Sequence, residues 1–362
     1  MRITDITFTR CSLGKVERPF YTSSGTPFSE KTFSFLEVIT DEGLSGFAPG
    51  GAGAARMLEQ LKARVVGQEP LDSARLWARL FGGPRVVKGT DLAGIGAVDN
   101  ALWDLRGKVL GQPVYRLLGG FRDRVPVYLS GGFYQDGKDA AGLAEECAGY
   151  VELGYRAVKM RVGHPAFSIR DDVARVAAVR AAIGPDVELM VDANSGWPSV
   201  PQAARFLRAV EDYELSWVEE PTWPDDLEGA AELCRTFDTP IAQGEREHTR
   251  WGYRELIDKR AADILQPDPE WCGGLTEWVR IAAYASAHHL PVAPHGTHLI
   301  GAHAAAAVDN GLVAEGCDEG FFPWHREFVE QYPMKDGELV LPSAPGFGIE
   351  LNRELIGRTR VG

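Results

Sequence analysis

Three carboxylates, Asp192, Glu219 and Glu245, recur 27 and then 26 residues apart, each ending a short apolar run over residues 187–192, 216–219 and 241–245. The cadence continues on both sides. Lys159 and Arg161 end the run Ala157–Arg161, 33 residues before Asp192 when counted from Lys159, and Asp268 and His295 follow Glu245 after 23 and a further 27 residues. Such an interval is about one strand plus one crossover helix, so polar residues recurring at it sit at one level of successive parallel strands. Three converging carboxylates repel unless a cation cancels their charge. All-oxygen ligation favours Mg²⁺, or Mn²⁺, over zinc. One strand-end acid alone is more often a helix cap or a solvated group; three on consecutive strands favour the metal.

Glu220 competes with Glu219 for that role. Strand alternation puts Trp217 and Glu219 on one face and Val218 and Glu220 on the other, which favours Glu219 and leaves Glu220 as a supporting group or ion-pair partner. Lys159 and Arg161, two apart, share a face, and cations there require anionic partners: either the metal carboxylates and a substrate carboxylate, or a structural ion pair on the barrel floor. A carboxylate beside an imidazole fixes its tautomer and raises its basicity, so Asp268 with His295 reads as a general base. The other seven histidines, His164, His248, His288, His289, His298, His303 and His325, have no comparable placement. No GxSxG, GxxxxGK[ST] or HExxH motif supports a serine hydrolase, a nucleotide phosphate loop or a zinc protease.

The elements that must position these residues fall into two textures. Residues 2–10 and 32–40 alternate as strands, Asp41-Glu42-Gly43 turns the chain toward a third, and helical patterns follow over 53–66, 71–82 and 91–109, giving a small α+β domain over residues 1–122. From there short apolar runs (125–129, 157–161, 187–192, 216–219, 241–245, 264–266, 291–293 and 312–315) alternate with helical patterns such as 138–153, 171–183, 200–213, 226–236 and 274–289. Eight units over residues 123–330 suit a parallel (β/α) barrel, with its active site at the C-terminal strand ends. The rival, a doubly wound open sheet, usually carries a Gly-rich phosphate turn after its first strand, which Leu129-Ser130-Gly131-Gly132 matches poorly. The tail, 331–362, is too short to fold alone and is expected to pack on the first domain.

The formal charge of −13 argues against a nucleic-acid partner, which needs a basic stripe, but not against an anionic small molecule held by local cations. Five cysteines, Cys11, Cys147, Cys234, Cys272 and Cys317, are odd in number and never spaced as CxxC. They read as thiols of a reducing compartment. With no apolar signal core in the first ten residues and no 18-residue apolar run, the expectation is a cytoplasmic protein without a membrane span.

The sequence resembles the mandelate racemase branch of the enolase superfamily over nearly its whole length. The residues that carry the resemblance are Ala157-Val158-Lys159-Met160-Arg161, Val191-Asp192-Ala193-Asn194, Val218-Glu219-Glu220-Pro221, Gly244-Glu245, Gln266-Pro267-Asp268 with Gly273-Gly274, Pro294-His295, and the helix from Gly94 to Asp104. Each is weak alone; their order and spacing together are specific. The resemblance implies an α/β fold, a (β/α)7β TIM-like barrel under an α+β capping domain, with one Mg²⁺ on Asp192, Glu219 and Glu245 stabilising the enediolate formed when a base removes the proton beside a carboxylate. It implies an Asp268–His295 dyad, a substrate contact at Lys159 and a final-strand glutamate, assigned to Glu330 with Glu315 as the competitor. Asn194, Tyr21 and Ser24 are expected to contact substrate, with the loops over 20–28 and 50–53 closing the barrel mouth and Trp197, Trp271 and Trp324 near it. A homo-oligomer is also implied.

One departure matters. Members with two opposed bases carry Lys-x-Lys, whereas the second position here is Arg161, which stays protonated. A single base suits β-elimination, so the expected activity is dehydration of a sugar acid (an aldonate or aldarate, 2R by family analogy) to a 2-keto-3-deoxy acid. A cycloisomerase or epimerase of the same superfamily is the alternative, and a non-catalytic sugar-acid binding protein the rival from another class.

Overall fold

The computed structural model describes residues 1–25, 27–82, 89–296, 298–316 and 322–361. The chain opens with a long antiparallel hairpin, β1 (Ile3–Tyr21) and β2 (Pro27–Thr40), joined by β3 (Ser45–Pro49). Gly43 at the β2–β3 turn has φ of 78° and donates its N–H to Thr40 O, as the Asp-Glu-Gly signature requires. Helices α1 (Ala52–Val65), α2 (Ser73–Phe81), α3 (Thr90–Leu110) and the short α4 (Val114–Leu118) complete the capping domain. The loop expected over 20–28 is in large part strand, because Phe20 pairs with Phe28 across the hairpin end; its Thr26 lies outside the described residues.

The second region runs β4 (Arg124–Ser130), β5 (Tyr134–Gln135), α5 (Ala140–Glu152), β6 (Ala157–Arg161), α6 (Ile169–Ile183), β7 (Glu188–Asp192), α7 (Val200–Val210), β8 (Trp217–Glu219), α8 (Leu227–Thr236), β9 (Ile241–Gln243), α9 (Thr249–Lys259), β10 (Ile264–Leu265), α10 (Leu275–Ala287), α11 (His298–Ala307) and β11 (Ala314–Gly316). Parallel pairing runs β4-β6-β7-β8-β9-β10, and β11 pairs with β4. Single bridges from Leu265 to Val292 and from Val292 to Gly311 link the two ends of that series. The strand expected at 291–293 is thus reduced to one residue. A layer of Tyr128, Ala157, Met190, Trp217, Ala242, Ile264, Ala293 and Val313 fills the interior, so the ring is packed rather than hollow.

Helix α3 docks the cap on the barrel with polar groups that its burial would otherwise penalise. Asp99 accepts from the backbone N–H and hydroxyl of Thr276, both at 2.7 Å, and Asn100 Oδ1 accepts from Leu275 N at 2.9 Å while its amide donates to Pro269 O. These two side chains therefore cap the N-terminus of α10 from another domain. A Cβ at Gly96 would meet Glu270 O at 2.0 Å, so only glycine permits this approach. Asp104 joins the cap to the tail, accepting from Phe47 N and Phe347 N.

The tail does more than pack on the cap. Its hairpin, β12 (Met334–Lys335) and β13 (Glu338–Val340), separated from β11 by the one-turn α12 (His325–Phe328), pairs with β4 at the end opposite the strand-end acids. Beyond it the chain meets the cap through the bridges Pro113–Gly346 and Cys11–Arg360 and through α13 (Arg353–Thr359), whose Arg353 forks Glu37. Cys11, Cys147, Cys234 and Cys272 are free thiols; Cys317 lies outside the described residues. Among the described residues no helix is long and apolar enough to cross a membrane.

His303 sits fully buried where α4, α11 and the tail meet. Its Nδ1 accepts from Tyr115 N at 3.0 Å and its Nε2 faces Tyr332 Oη at 2.9 Å, an arrangement that needs the neutral ring. Burial holds its pKa down at about 3. A base with a depressed folded-state pKa leaves the unfolded chain binding more protons, so stability falls as pH drops below the ordinary histidine value, by about 1.4 kcal/mol per unit for one proton. The melting temperature of the wild type should therefore fall more steeply than that of His303→Asn between pH 6.5 and 4; parallel slopes would show that His303 does not titrate on unfolding.

Candidate active site

The barrel register sets the heights of the strand-end residues. Arg161 pairs with Asp192 and Asp192 with Glu219, so these three share a level, whereas Lys159 pairs with Met190 and Met190 with Trp217 one layer below. Two residues of strand are about 6–7 Å. Lys159 therefore rises from beneath the acids, and its side chain is 0% exposed. Its Nζ lies 2.6 Å from Glu219 Oε1, 3.0 Å from Glu315 Oε1, 3.9 Å from Asp192 Oδ2 and 3.3 Å from Tyr128 Oη. Burial alone would lower its pKa, but Glu219 and Glu315 outweigh that and hold it well above the usual lysine value.

Asp192, Glu219 and Glu245 converge, one carboxylate oxygen of each lying within 4.8 Å of the others. Each is held from behind. Asn194 N donates to Asp192 Oδ1 at 2.6 Å, and Arg161 forms an ion pair with Asp192 Oδ2. Glu219 Oε2 accepts from Gln266 Nε2 at 2.6 Å and Trp217 Nε1 at 3.1 Å. Glu245 Oε1 lies 3.3 Å from Arg246 Nη2. This all-oxygen set, each member held by hydrogen-bond donors or an ion pair, fits a hard divalent cation. Glu220 is not part of it: with φ of 41° it leaves the strand alternation, and Arg246 Nε donates to both its oxygens at 3.0 Å. Burial, with Glu245 nearby, pushes its carboxyl up to about 8.

Opposite, His295 Nδ1 lies 2.8 Å from Asp268 Oδ2, and Asp268 Oδ1 accepts from Glu270 N and Trp271 N. His295 Nε2 is thereby aimed at the acids, 3.2 Å from Glu245 Oε2 and 3.9 Å from Glu315 Oε2. Gly296, at φ of 92°, lets the backbone turn beside the dyad; a Cβ there would meet Asp268 Oδ2 at 2.8 Å. Burial disfavours the charged ring, but Glu245, Glu315 and Asp268 outweigh it and hold the pKa up at about 10. A cation on Glu245 would remove the strongest of those attractions and return the ring toward a working base.

The final-strand acid is Glu315, not Glu330. Glu315 lies in β11, in register with Tyr128 of β4, accepts from Gly296 N at 2.8 Å and is held at about 2 because Lys159, His295 and Arg161 outweigh its burial. Glu330 is exposed, past α12 and beside the Val329–Leu351 bridge that ties the tail. Of the expected substrate contacts, Ser24 and Asn194 line a cavity together with Ser23, Trp197 and Arg246, and the acids are not part of its lining. Tyr21 does not: its hydroxyl donates to Asp136 at 3.1 Å and its ring lies against His164. Trp324 is buried, donating to Thr32 O, and Trp271 stacks on His248. Tyr128, Arg246 and His164 carry no motif of their own. Gln266 alone had a signal, standing two residues before Asp268 and so on the same strand face.

Comparison with known proteins follows this geometry. Residues 5–119 match the family described as mandelate racemase / muconate lactonizing enzyme, N-terminal domain, and residues 142–355 match the enolase C-terminal domain-like family. The chain is 36% identical to an arabinonate dehydratase of Saccharolobus solfataricus over 72% of its own length and 70% of the relative's. It is 32% identical to a D-galactarolactone cycloisomerase of Agrobacterium fabrum over 96% of both chains. The solved L-talarate dehydratase of a Polaromonas species, complexed with Mg and L-glucarate, superposes with a TM-score of 0.86 at 34% identity over 99% of this chain and 98% of that one.

Two substitutions separate the glutamates. Glu315→Gln should lower turnover by at least about tenfold, since it unbalances Lys159 at a hydrogen-bonded charge, while Glu330→Gln should leave kcat within experimental error; the reverse ranking in steady-state assays would restore Glu330. Asp192→Asn should weaken Mg²⁺ binding, read by calorimetry, by about 100-fold or more, because loss of a supporting residue alone costs 10–100-fold. Unchanged affinity would remove Asp192 from the ligand set.

Proposed function

The chain belongs to the mandelate racemase and muconate lactonizing enzyme family of the enolase superfamily, and from that premise we propose that it is a Mg²⁺-dependent dehydratase of sugar acids. The observation that carries the reading is that, among the described residues, one candidate base stands across from the converging acids. His295, its side chain 31% exposed, presents Nε2 across from the acid cluster with Asp268 behind it. Lys159 is sealed beneath that cluster, and Arg161, sandwiched between Asp192 and the Phe133 ring at 4.4 Å, keeps its proton. Racemisation needs a base on each face of the α-carbon; elimination needs one.

Asp192, Glu219 and Glu245 would hold the cation, which when bound supplies positive charge next to the substrate carboxylate, where the transition state becomes more negative. Lys159 and Arg161 sit at the same pole. His295 Nε2 takes the proton from C2, and Asp268 stabilises the imidazolium so formed. The electron pair left on C2 forms the C2–C3 double bond as the C3–O bond breaks. The departing hydroxyl takes the same proton from His295 and leaves as water. The enol then tautomerises to a 2-keto-3-deoxy acid, and the neutral base is restored. The single imidazole thus serves both steps, provided the α-proton and the 3-hydroxyl lie on its side.

The relatives named as dehydratases support elimination, and those named as cycloisomerases share the fold, so product mass decides. Turnover should give a product lighter by one water; an isobaric product would replace dehydration with cycloisomerisation. His295→Asn should fold normally and lose activity by about 10²–10⁴-fold, the usual contribution of a general base, together with α-proton exchange in D₂O followed by NMR. Near-wild-type exchange would refute the assignment of the base.

A further inference from the structure

A cavity of about 1020 Å³, which meets the acid cluster through Asn194 and Arg246, is lined by Arg170, Arg205 and Arg246, and among the described residues that line it none is acidic. In a chain whose acids outnumber its bases, 51 to 38, that local excess of positive charge runs against the composition. The three arginines are not equivalent. Arg246 is committed to Glu220 and Glu245. Arg170, on the first turn of α6, and Arg205, on α7, have no ion-pair partner among the described residues; Asp171 beside Arg170 is turned onto the N–H and hydroxyl of Ser168. The ordinary reading of two exposed arginines is solvation on helix surfaces. Their position argues otherwise, because both line the same cavity as Asn194, whose backbone N–H holds the metal ligand Asp192.

His164, which lines the same cavity, is a donor of fixed direction. Its Nδ1 accepts from Ala166 N at 3.1 Å, and burial and Arg175 keep the ring neutral, so the proton is on Nε2. Nε2 is directed toward the cap loop, 4.0 Å from where a Cβ on Gly25 would stand. The ring is set by Tyr21, Tyr134 and Phe167, with centroids 5.5, 4.7 and 5.9 Å away. Trp223, 62% exposed, lines the same cavity as an apolar surface.

We propose that this cavity is a subsite for a second anionic group, carried at the end of the substrate remote from the reacting carbon and bound by Arg170 and Arg205, with His164 donating to a hydroxyl on the way. The inference rests on the dehydratase reading of the site and narrows it: the substrate is a dianion, not a monocarboxylate. A terminal carboxylate and a terminal phosphate present the same chemistry to a guanidinium, and the experiment separates them.

The wild-type enzyme with Mg²⁺ is assayed on three panels: six-carbon aldarates, the corresponding aldonates, and aldonates phosphorylated on the terminal hydroxyl. One dianionic panel should be preferred over the plain aldonates, and which of the two it is identifies the anion. In Arg170→Gln/Arg205→Gln the ratio of kcat/KM for the preferred dianion to that for the aldonate should fall by about tenfold or more, mainly through KM. Arg→Lys replacements, which keep the charge, should restore part of it. Wild-type preference for plain aldonates, or a ratio unmoved in the double variant, overturns the subsite while leaving dehydration intact. Absence of His295-dependent α-proton exchange with every panel overturns the dehydratase reading itself, and the subsite with it.

Discussion

The structure turns on an excess of negative charge gathered inside the barrel mouth. Asp192, Glu219, Glu245, Asp268 and Glu315 gather there, and the permanent cations that reach them are Lys159, Arg161 and, on Glu245, Arg246. Five carboxylates against these cations, one of which is shared with Glu220, leave an excess of negative charge in a partly desolvated space. Such a cluster does not persist uncompensated; either its members take up protons or a cation enters. In this chain the nearest titratable group responds first: His295 is drawn toward its charged form. A divalent ion on the three converging acids removes that demand, and the imidazole is then available as a base. The converging acids and the imidazole are in this sense one electrostatic system, with Lys159 buried between Glu219 and Glu315.

Holding five acids in place requires rigid support, and each support comes from a different strand or domain. Gln266 and Trp217 orient Glu219, Arg246 ties Glu245 to Glu220, and Gly296 passes its N–H to Glu315. The cap contributes from above. Ser23 Oγ donates to Val162 O at 2.6 Å just past β6, and Gly51 N donates to Glu270 Oε1 at 3.1 Å, two residues beyond Asp268. The cap is fixed in turn by Asp99 and Asn100 on α10, so a helix far from the acids sets the loops that close over them. Such capping contacts are buried and fully satisfied, which is the condition under which polar groups specify an arrangement instead of weakening it.

Much of this was readable from the sequence because the physics is periodic. Parallel strands covered on both faces are short unbroken apolar runs, and the residue that ends each run is at the barrel mouth. That is why Lys159, Arg161, Asp192, Glu219, Asp268 and His295 could be placed from intervals alone. The rule failed where the period failed. Glu315 follows His295 by 20 residues, shorter than the other intervals because α11 is only ten residues long, whereas Glu330 stands 35 residues onward, past the strand. The strand around Val292 shrank to a single bridge for a related reason: Pro291 and Pro294 flank it and cannot donate to a ladder. Side-chain identity was equally silent about His164, whose importance comes from the aromatic ring contacts of Tyr21 and Tyr134 and from a local Ala166 N–H, none of which has a sequence signature.

Arg161 shows how a single residue type can confine the chemistry. Its Cα is in register with Asp192, so its head group reaches the metal acid directly, and Phe133 and Ser130 hold the plane of the guanidinium. A lysine there could lose its proton in a desolvated site; a guanidinium cannot. The position therefore supplies charge at all working pH values and never a second base. The titratable imidazole stands on the opposite wall, where His295 is oriented by Asp268. The two walls of the mouth accordingly differ: one is a permanent cationic clamp, the other carries a titratable imidazole, and in the proposed reaction a substrate bound between them is open to deprotonation from one side only.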